Sequence, residues 1–272
     1  MFMYDYQYHC PRSIAQAVAL ASDYPEGKFL AGGQTLIQTM KLRMAAPTDL
    51  IDLGFVPELK GIAADAHRVT IGATTQHAQV SRAPDIRQYI PALAHLASEI
   101  GDRQVRNRGT LGGSVANSDP AADYPAAVLG LGATIHTSER VIPADDFFVA
   151  LYETALAPNE LLTRIEFPVP RRAGYVKFKS PASGFALVGV FVADFGDTVR
   201  VAVTGAGPMV FRIPEAEEAL RDHFAADAID AGSCLVREDE LNSDIQASAA
   251  YRGHLIPVLV RRAVEQALQR QP

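Results

Sequence analysis

Two glycine pairs stand where the backbone could bind an anion. One pair is Gly32-Gly33, in the segment AGGQTL, and the other is Gly112-Gly113, in TLGGSVANSDPAAD. Because glycine has no Cβ, its backbone N–H groups can approach a phosphate closely. The first pair follows a predicted strand at 29–31 and precedes a predicted helix at 36–44, so helix-start N–H groups would also face a ligand. The two loops could hold a diphosphate from opposite sides, or each could be only a tight turn.

The residues around the glycines exclude two nucleotide-binding classes. Gln34, Thr35 and Ser114 add side-chain donors to the loops. Neither loop has the G-x-G-x-x-G spacing of a Rossmann site or the G-x-x-x-x-G-K-[ST] spacing of a P-loop. The sequence therefore argues against an NAD-binding Rossmann domain and against an ATPase.

Asp123 lies ten residues after Gly113 and has two interpretations. Its carboxylate could accept hydrogen bonds from ribose hydroxyls. It could instead cap the helix predicted to start at Tyr124-Pro125, with proline in the first turn. The spacing by itself favours the cap.

No other residue pattern indicates catalysis or metal binding. The histidines lie at 9, 67, 77, 95, 136, 223 and 254, without the spacing of a metal motif, and are interpreted as surface or packed residues. There is no G-x-S-x-G motif. The cysteines, Cys10 and Cys234, are far apart, so the chain cannot by itself supply four thiolates to an iron–sulfur cluster or a zinc ion. We predict no metal site and no catalytic acid or base.

Three arginines, Arg103, Arg106 and Arg108, form a short basic stretch just before the second glycine pair. A solvated loop is the simplest interpretation. Neutralisation of a phosphate and docking of an acidic partner subunit are the functional alternatives.

The elements that would position these residues form two parts. Strands alternate with helices up to residue 53, which predicts a small parallel unit, and a second segment of strands and helices follows from residue 57. The stretch PVPRRAG at 168–174 combines proline, charge and glycine and is the best domain boundary. Three strands of a meander follow it, and an apolar face at 256–267 predicts a final helix whose first turn contains Pro257.

Composition excludes several classes of protein. With 272 residues, 48% hydrophobic and 21% charged, the chain reads as about two globular domains. A net charge of −6 lacks the basic footprint of a nucleic-acid binder. The N-terminus has no signal-peptide pattern, and uncharged runs such as 180–193 are too short to span a membrane. Two free cysteines fit a reducing compartment, so we expect a cytoplasmic protein.

Taken together, the motifs resemble the FAD-binding medium subunit of the molybdenum hydroxylases. The chain looks most like the medium subunit of the carbon monoxide dehydrogenase type and is also similar to the flavin domain of xanthine dehydrogenase. The resemblance covers almost the whole chain and rests on the order of its segments, which are AGGQTL, KLRMAAPTDLIDL, IGATT, VRNRGTLGGSVANSDPAAD, NELLTRIEFP and YRGHLIPVLVRRA.

This resemblance implies an α+β fold. It comprises a PCMH (vanillyl-alcohol-oxidase-like) FAD-binding domain at 1–172, with two α/β subdomains at about 1–55 and 56–172. A C-terminal domain at 173–272, of the carbon monoxide dehydrogenase flavoprotein type, would hold a three-stranded antiparallel sheet and helices.

The resemblance also implies the residues that bind FAD. They are Lys28, Ala31, Gly32, Gly33, Gln34, Thr35, Leu36, Ile100, Thr110, Leu111, Gly112, Gly113, Ser114, Asp123, Leu162, Lys179 and Phe185. On this basis Asp123 holds the cofactor and is not merely a cap. Many members have tyrosine where Phe185 stands. Phe185 could still stack on the flavin but lacks the hydroxyl, and a core strand residue is the alternative. Gln34 replaces the residue types used for covalent attachment, so non-covalent FAD is expected.

The implied function is electron transfer within a complex. Electrons would pass from a large molybdenum-cofactor subunit through the 2Fe-2S clusters of a small subunit to FAD on this chain, and then to an external acceptor. A dimer of heterotrimers is expected. A stand-alone FAD-dependent oxidoreductase and a non-catalytic scaffold or assembly protein are the alternatives. No nucleic-acid partner and no membrane span are expected.

Overall fold

The computed structural model describes residues 3–230 and 232–269. The N-terminal segment forms a three-stranded parallel sheet in the order β1-β3-β2, as the alternation of strands and helices predicts. Ser13 starts the first helix by accepting the Gln16 amide at 3.2 Å. The elements are β1 (Gln7–His9), α1 (Ile14–Asp23), β2 (Lys28–Leu30), α2 (Leu36–Lys41) and β3 (Asp49–Asp52).

The middle segment is built on a five-stranded antiparallel sheet in the order β4-β5-β10-β6-β7. Its strands are β4 (Ile62–Ala64), β5 (Arg68–Gly72), β6 (Thr134–Thr137), β7 (Val141–Pro143) and β10 (Leu162–Pro168), with a separate hairpin of β8 (Phe148–Ala150) and β9 (Glu153–Thr154). Its helices are α3 (His77–Arg82), α4 (Pro84–Tyr89), α5 (Pro91–Glu99), α6 (Arg103–Arg106), α7 (Leu111–Asn117) and α8 (Tyr124–Gly130).

The C-terminal segment is an antiparallel sheet covered on both faces. It contains β11 (Arg172–Lys179), β12 (Ala186–Asp194), β13 (Val199–Thr204), β14 (Phe211–Arg212), α9 (Pro214–Asp222) and α10 (Ala249–Gln269). Three strands were expected, and the structure adds the two-residue β14 beside β13. That strand is too short to show a periodic pattern in the sequence.

Side-chain alternation along β12 divides the interior into two cores. Phe191 and Ala193 face the core that contains α5 and α8, whereas Val190 and Val192 face the core under α9 and α10. Since successive strand residues point to opposite faces, all nine residues of β12 are buried. The C-terminal sheet is thus packed directly on α5 and on α8, the helix that Asp123 precedes.

Pro257 lies well inside α10 rather than in its first turn. A proline there removes one backbone hydrogen bond and would usually end a helix. Leu255, Ile256, Leu259 and Val260 bury the apolar face of α10 in the second core, and this packing keeps the helix continuous.

Among the described residues, no helix has the length and apolar character needed to cross a membrane. No cluster of three or more His, Cys, Asp or Glu in the same residues could hold a metal ion.

Candidate functional site

The first glycine pair forms a turn between β2 and α2. Gly33 has φ +70°, a backbone conformation that glycine adopts without strain. A Cβ on Gly32 would lie 2.2 Å from the carbonyl oxygen of Arg108, so this turn packs directly on the segment before the second pair. Within the described residues, the amides of residues 32–35 donate to no backbone or side-chain acceptor. These amides are free to bind an anionic group.

The second glycine pair lies in the first turn of α7 and is not a loop. Thr110 caps this helix by accepting the Gly113 amide at 3.2 Å. The Gly112 amide donates to Ala73 O at 2.8 Å, and the Ser114 amide donates to Thr110 O at 3.0 Å. The second motif therefore lets a ligand come close to its backbone and offers side-chain hydroxyls, but its amides already have acceptors. The expectation that both motifs offer free amides is wrong for the second one.

The two motifs face each other across a single cavity. A Cβ on Gly113 would lie 3.5 Å from Ala31 Cβ, in the space between the motifs. The cavity has a volume of about 910 Å³, within the range of small-molecule and cofactor sites. The predicted residues that line it are Lys28, Ala31, Gly32, Gly33, Gln34, Thr35, Leu36, Ile100, Thr110, Gly112, Gly113, Ser114, Asp123, Leu162 and Phe185.

Two predicted site residues, Leu111 and Lys179, are not part of the lining. Leu111 has no exposed surface and packs in the main core. The Lys179 side chain is 61% exposed and its Nζ lies 3.5 Å from Glu99 Oε2. The pairing of β11 with β12 shifts register between Phe178 and Lys179, where the strand ends.

Lys177 is the buried lysine of β11, and the sequence analysis did not identify it. Its Nζ lies 2.9 Å from Asp123 Oδ1, and it also donates to the carbonyl oxygens of Glu99 at 2.9 Å and Gly184 at 3.0 Å. Tyr175, two residues earlier on the same strand face, donates its hydroxyl to Asp123. Their i, i+2 spacing was the only signal in the sequence.

Asp123 occupies the N-cap position of α8, but its side chain makes no capping hydrogen bond. Burial raises the pKa of its carboxyl, and the neighbouring Lys177 and Tyr175 oppose that rise. The capping interpretation is therefore wrong, because the carboxylate joins the cavity wall to the C-terminal sheet.

The far wall of the cavity combines both parts of the chain. Ile100 ends α5, and Gly184 and Phe185 come from the connection between β11 and β12. The Phe185 side chain is about half exposed, so it is not a core strand residue. Lys177 fixes this wall through its contacts with Glu99 and Gly184.

The arginine stretch forms the short helix α6 and its C-terminal turn. Arg106 donates to the carbonyl oxygens of Ile100 and Gly101, each at 2.9 Å, and so fixes the turn that carries Ile100. Arg103 and Arg108 are exposed. The three arginines thus have different environments.

Two protein-family models together match most of the chain. The one described as the FAD binding domain in molybdopterin dehydrogenase matches residues 4–170. The one described as the CO dehydrogenase flavoprotein C-terminal domain matches residues 175–267.

Named relatives match along their whole length. The nicotine 6-hydroxylase medium subunit of Paenarthrobacter nicotinovorans is 35% identical, over 96% of this chain and 96% of the relative. The carbon monoxide dehydrogenase medium chain of Hydrogenophaga pseudoflava is 34% identical, over 97% of this chain and 98% of the relative.

Solved structures show the same fold. Carbon monoxide dehydrogenase from Hydrogenophaga pseudoflava superposes with a TM-score of 0.91 at 34% identity, over 100% of both chains. Quinoline 2-oxidoreductase from Pseudomonas putida 86 gives a TM-score of 0.90 at 27% identity, over 99% of both chains. The chain therefore belongs to the FAD-binding medium subunits of the molybdenum hydroxylases, a family of oxidoreductases that includes carbon monoxide dehydrogenase.

Proposed function

We propose that the cavity between the glycine motifs holds one FAD non-covalently. The observation that carries this proposal is the set of free amides at residues 32–35, which face a cavity of about 910 Å³ lined by the second motif. A Cβ on Gly113 would meet Thr110 Oγ1 at 2.8 Å and Ala31 Cβ at 3.5 Å, so only glycine leaves this space open. The residues present fit a dinucleotide with an anionic diphosphate.

The binding residues would come from two domains, at 1–172 and 173–272. The first would supply Lys28, the residues from Ala31 to Leu36, Ile100, Thr110, Gly112, Gly113, Ser114, Asp123 and Leu162, and the second would supply Phe185. Cys10 and Cys234 do not line the cavity, and Gln34 stands in the first turn, which supports non-covalent binding.

FAD would supply the redox chemistry, accepting electrons from 2Fe-2S clusters and passing them to an external acceptor. The chain's residues bind and orient it: the free amides hold the diphosphate, and Lys177 fixes the wall that carries Ile100 and Gly184. The names of the relatives, "medium subunit" and "medium chain", support assembly with other subunits. The partners would be a small 2Fe-2S subunit and a large molybdenum-cofactor subunit in a cytoplasmic dimer of heterotrimers.

Purification of the full chain from its native host tests this function. We expect a flavin absorption spectrum, release of the flavin by acid, and co-purification of an iron–sulfur and a molybdenum subunit. Reduction of the flavin when the complex receives its substrate would support the electron path. A flavin-free chain would contradict the cofactor assignment. A flavin-loaded chain without partners would instead favour a stand-alone oxidoreductase.

A further inference from the structure

His77 lies beside the second glycine motif and lines the same cavity. It is the first residue of α3, and its backbone amide donates to Gly109 O at 3.0 Å. The preceding residue, Gln76, forms an antiparallel bridge with Thr110. These contacts place His77 against the segment that leads into α7, although the two are far apart in the sequence.

The His77 imidazole is buried without a hydrogen-bond partner. The residue is only 4% exposed, and Nδ1 is closed from solvent with no partner. Nε2 is also without a partner among the described residues, and it lies 2.5 Å from where a Cβ on Gly109 would stand. The Nε2 edge therefore faces Gly109, which is itself part of the cavity wall.

The free imidazole is neutral at physiological pH. Burial is the larger cause and the nearby Arg106 guanidinium the smaller, and together they lower the pKa of His77 to about 4. A neutral ring carries its proton on one nitrogen only. A proton on Nδ1 would be a buried N–H closed from solvent without an acceptor, so we assign the proton to Nε2, the nitrogen that faces Gly109 of the cavity wall.

The His77 ring adds a ring N–H to the hydroxyls that the second motif contributes to the cavity. The amides of Gly112, Gly113 and Ser114 already have acceptors, whereas the amides of residues 32–35 are free. Gly32 packs on Arg108 and Gly109, so the first motif and the His77 ring meet at the same point of the wall. A diphosphate bound to the first motif would pass close to Nε2.

We propose that His77 donates a hydrogen bond from Nε2 to the diphosphate of the bound dinucleotide, beside the free amides of the first motif. This inference rests on the proposed FAD function. The His77 ring packs on the Tyr124 ring with centroids 5.3 Å apart, in surroundings that would suit an apolar ring. The proposed hydrogen bond explains why a polar ring stands there. Buried polar atoms without partners are uncommon in folded proteins and are often found where a ligand binds.

The proposal predicts opposite effects on binding and on stability. In His77→Phe the aromatic packing is retained and the donor is lost, so the FAD dissociation constant should rise about ten- to a hundred-fold. The melting temperature of the flavin-free chain should be unchanged or higher, because a buried group without a partner is removed. His77→Gln, which keeps a donor, should recover part of the affinity.

The experiment measures FAD binding to the full flavin-depleted chain by quenching of flavin fluorescence, with ADP as a competitor. ADP carries the diphosphate without the flavin, so His77→Phe should weaken ADP competition by the same factor. His254→Gln, an exposed histidine on α10, is the matched control and should match the unsubstituted chain. His77→Met is a second variant without a donor, in case the phenylalanine ring does not fit.

Four results would overturn the proposal. The first is a dissociation constant within twofold of the unsubstituted chain in both variants without a donor. The second is weaker FAD binding with ADP competition unchanged, which would place the contact on the flavin. The third is flavin that resists acid release only when His77 is present, which would show covalent attachment. If the unsubstituted chain binds no FAD, the proposed function fails as well, and this separates the two failures.

Discussion

At the scale of single residues, small size and burial matter more here than side-chain chemistry. Gly32 lets the two motifs pack together, because a Cβ there would lie 2.2 Å from the Arg108 carbonyl oxygen, and a Cβ on Gly113 would lie 2.8 Å from Thr110 Oγ1. Asp123, Lys177 and Tyr175 form a buried polar group at the junction with the C-terminal sheet. Each residue type was visible in the sequence, but their partners lie more than fifty residues away along the chain.

Gly113→Ala tests the space between the motifs. The added Cβ would meet Thr110 Oγ1 at 2.8 Å and lie in the gap facing Ala31, so we expect loss of most bound flavin. The helix itself should tolerate alanine, which favours helix by about 1 kcal/mol over glycine. The flavin-to-protein ratio and the far-UV circular dichroism of the purified chain measure the two effects.

Gly253→Ala in α10 is the matched control, since its Cβ would meet only a leucine methyl at 3.3 Å. It should leave the flavin content unchanged. A Gly113→Ala chain with full flavin content would show that the second motif does not border the cofactor.

Asp123→Ala tests the buried ion pair. Removing one partner leaves the Lys177 ammonium buried without its carboxylate, which costs about 3–5 kcal/mol of unfolding free energy. Loss of a helix cap would cost only about 1 kcal/mol. Urea unfolding of the flavin-free chain, for Asp123→Ala, Lys177→Met and the double variant, measures the coupling. The exposed Asp146→Ala should change stability by less than about 0.5 kcal/mol.

We expect the double variant to lose less unfolding free energy than the two single variants lose in sum, because both charges are then removed together. Additive losses would mean that the pair does not interact in solution.

At the scale of elements, one buried carboxylate secures the connection into β10. Glu160, just before that strand, has no exposed side-chain surface. Its carboxylate accepts from the Arg140 guanidinium at 3.1 Å, from Thr137 at 2.6 Å and from the Ala157 amide at 2.7 Å. The turn between β6 and β7 is thereby attached to the chain entering β10, next to Leu161 and Leu162 of the cavity wall.

The pKa of Glu160 gives this attachment a defined pH dependence. Burial raises the pKa, but the hydrogen bonds from Arg140, Ala157 and Thr137 outweigh it and lower the pKa to about 2. A carboxyl with a lowered folded-state pKa stabilises the fold above its ordinary value of about 4.3, and this stability is lost as the pH falls toward 2. Glu160→Gln should lose about 2 kcal/mol at pH 7 and show a smaller decrease in acid.

Melting temperatures between pH 7 and pH 2 measure this difference, and the exposed Glu153→Gln is the control. Parallel pH profiles for Glu160→Gln and the unsubstituted chain would exclude Glu160 as the source of the loss of stability in acid.

At the scale of the whole molecule, both parts of the chain line the cavity, so the electron-transfer partner of the proposed function would dock near this junction. The helix α6 stands beside it, and its exposed arginines, Arg103 and Arg108, are available to an acidic partner. Arg106 instead holds the turn at Ile100. A test of docking should therefore use the exposed pair.

Arg103→Glu combined with Arg108→Glu should slow association with the iron–sulfur subunit several-fold at low salt and reduce the salt dependence, while flavin content stays normal. Such charges at an interface rim act mainly on the association rate. Stopped-flow association at two ionic strengths measures this effect. Arg262→Glu, an exposed arginine on α10, is the control. Loss of flavin without slower association would assign these arginines to the cofactor site instead.

The glycine motifs, the capped first helix, the parallel N-terminal unit and the family could all be predicted from the sequence, because they depend on local spacing and on the order of segments. Tertiary structure alone decided which polar groups remain without partners. The Gly112 amide is occupied because it donates to Ala73 O, and Lys177 is buried in an ion pair with Asp123, which lies 54 positions away in the sequence. His77 packs beside the cavity because Gly109 has no Cβ, which would lie 2.5 Å from the His77 Nε2 atom. Burial and hydrogen-bond pairing are set by contacts between distant residues, so local spacing cannot reveal them.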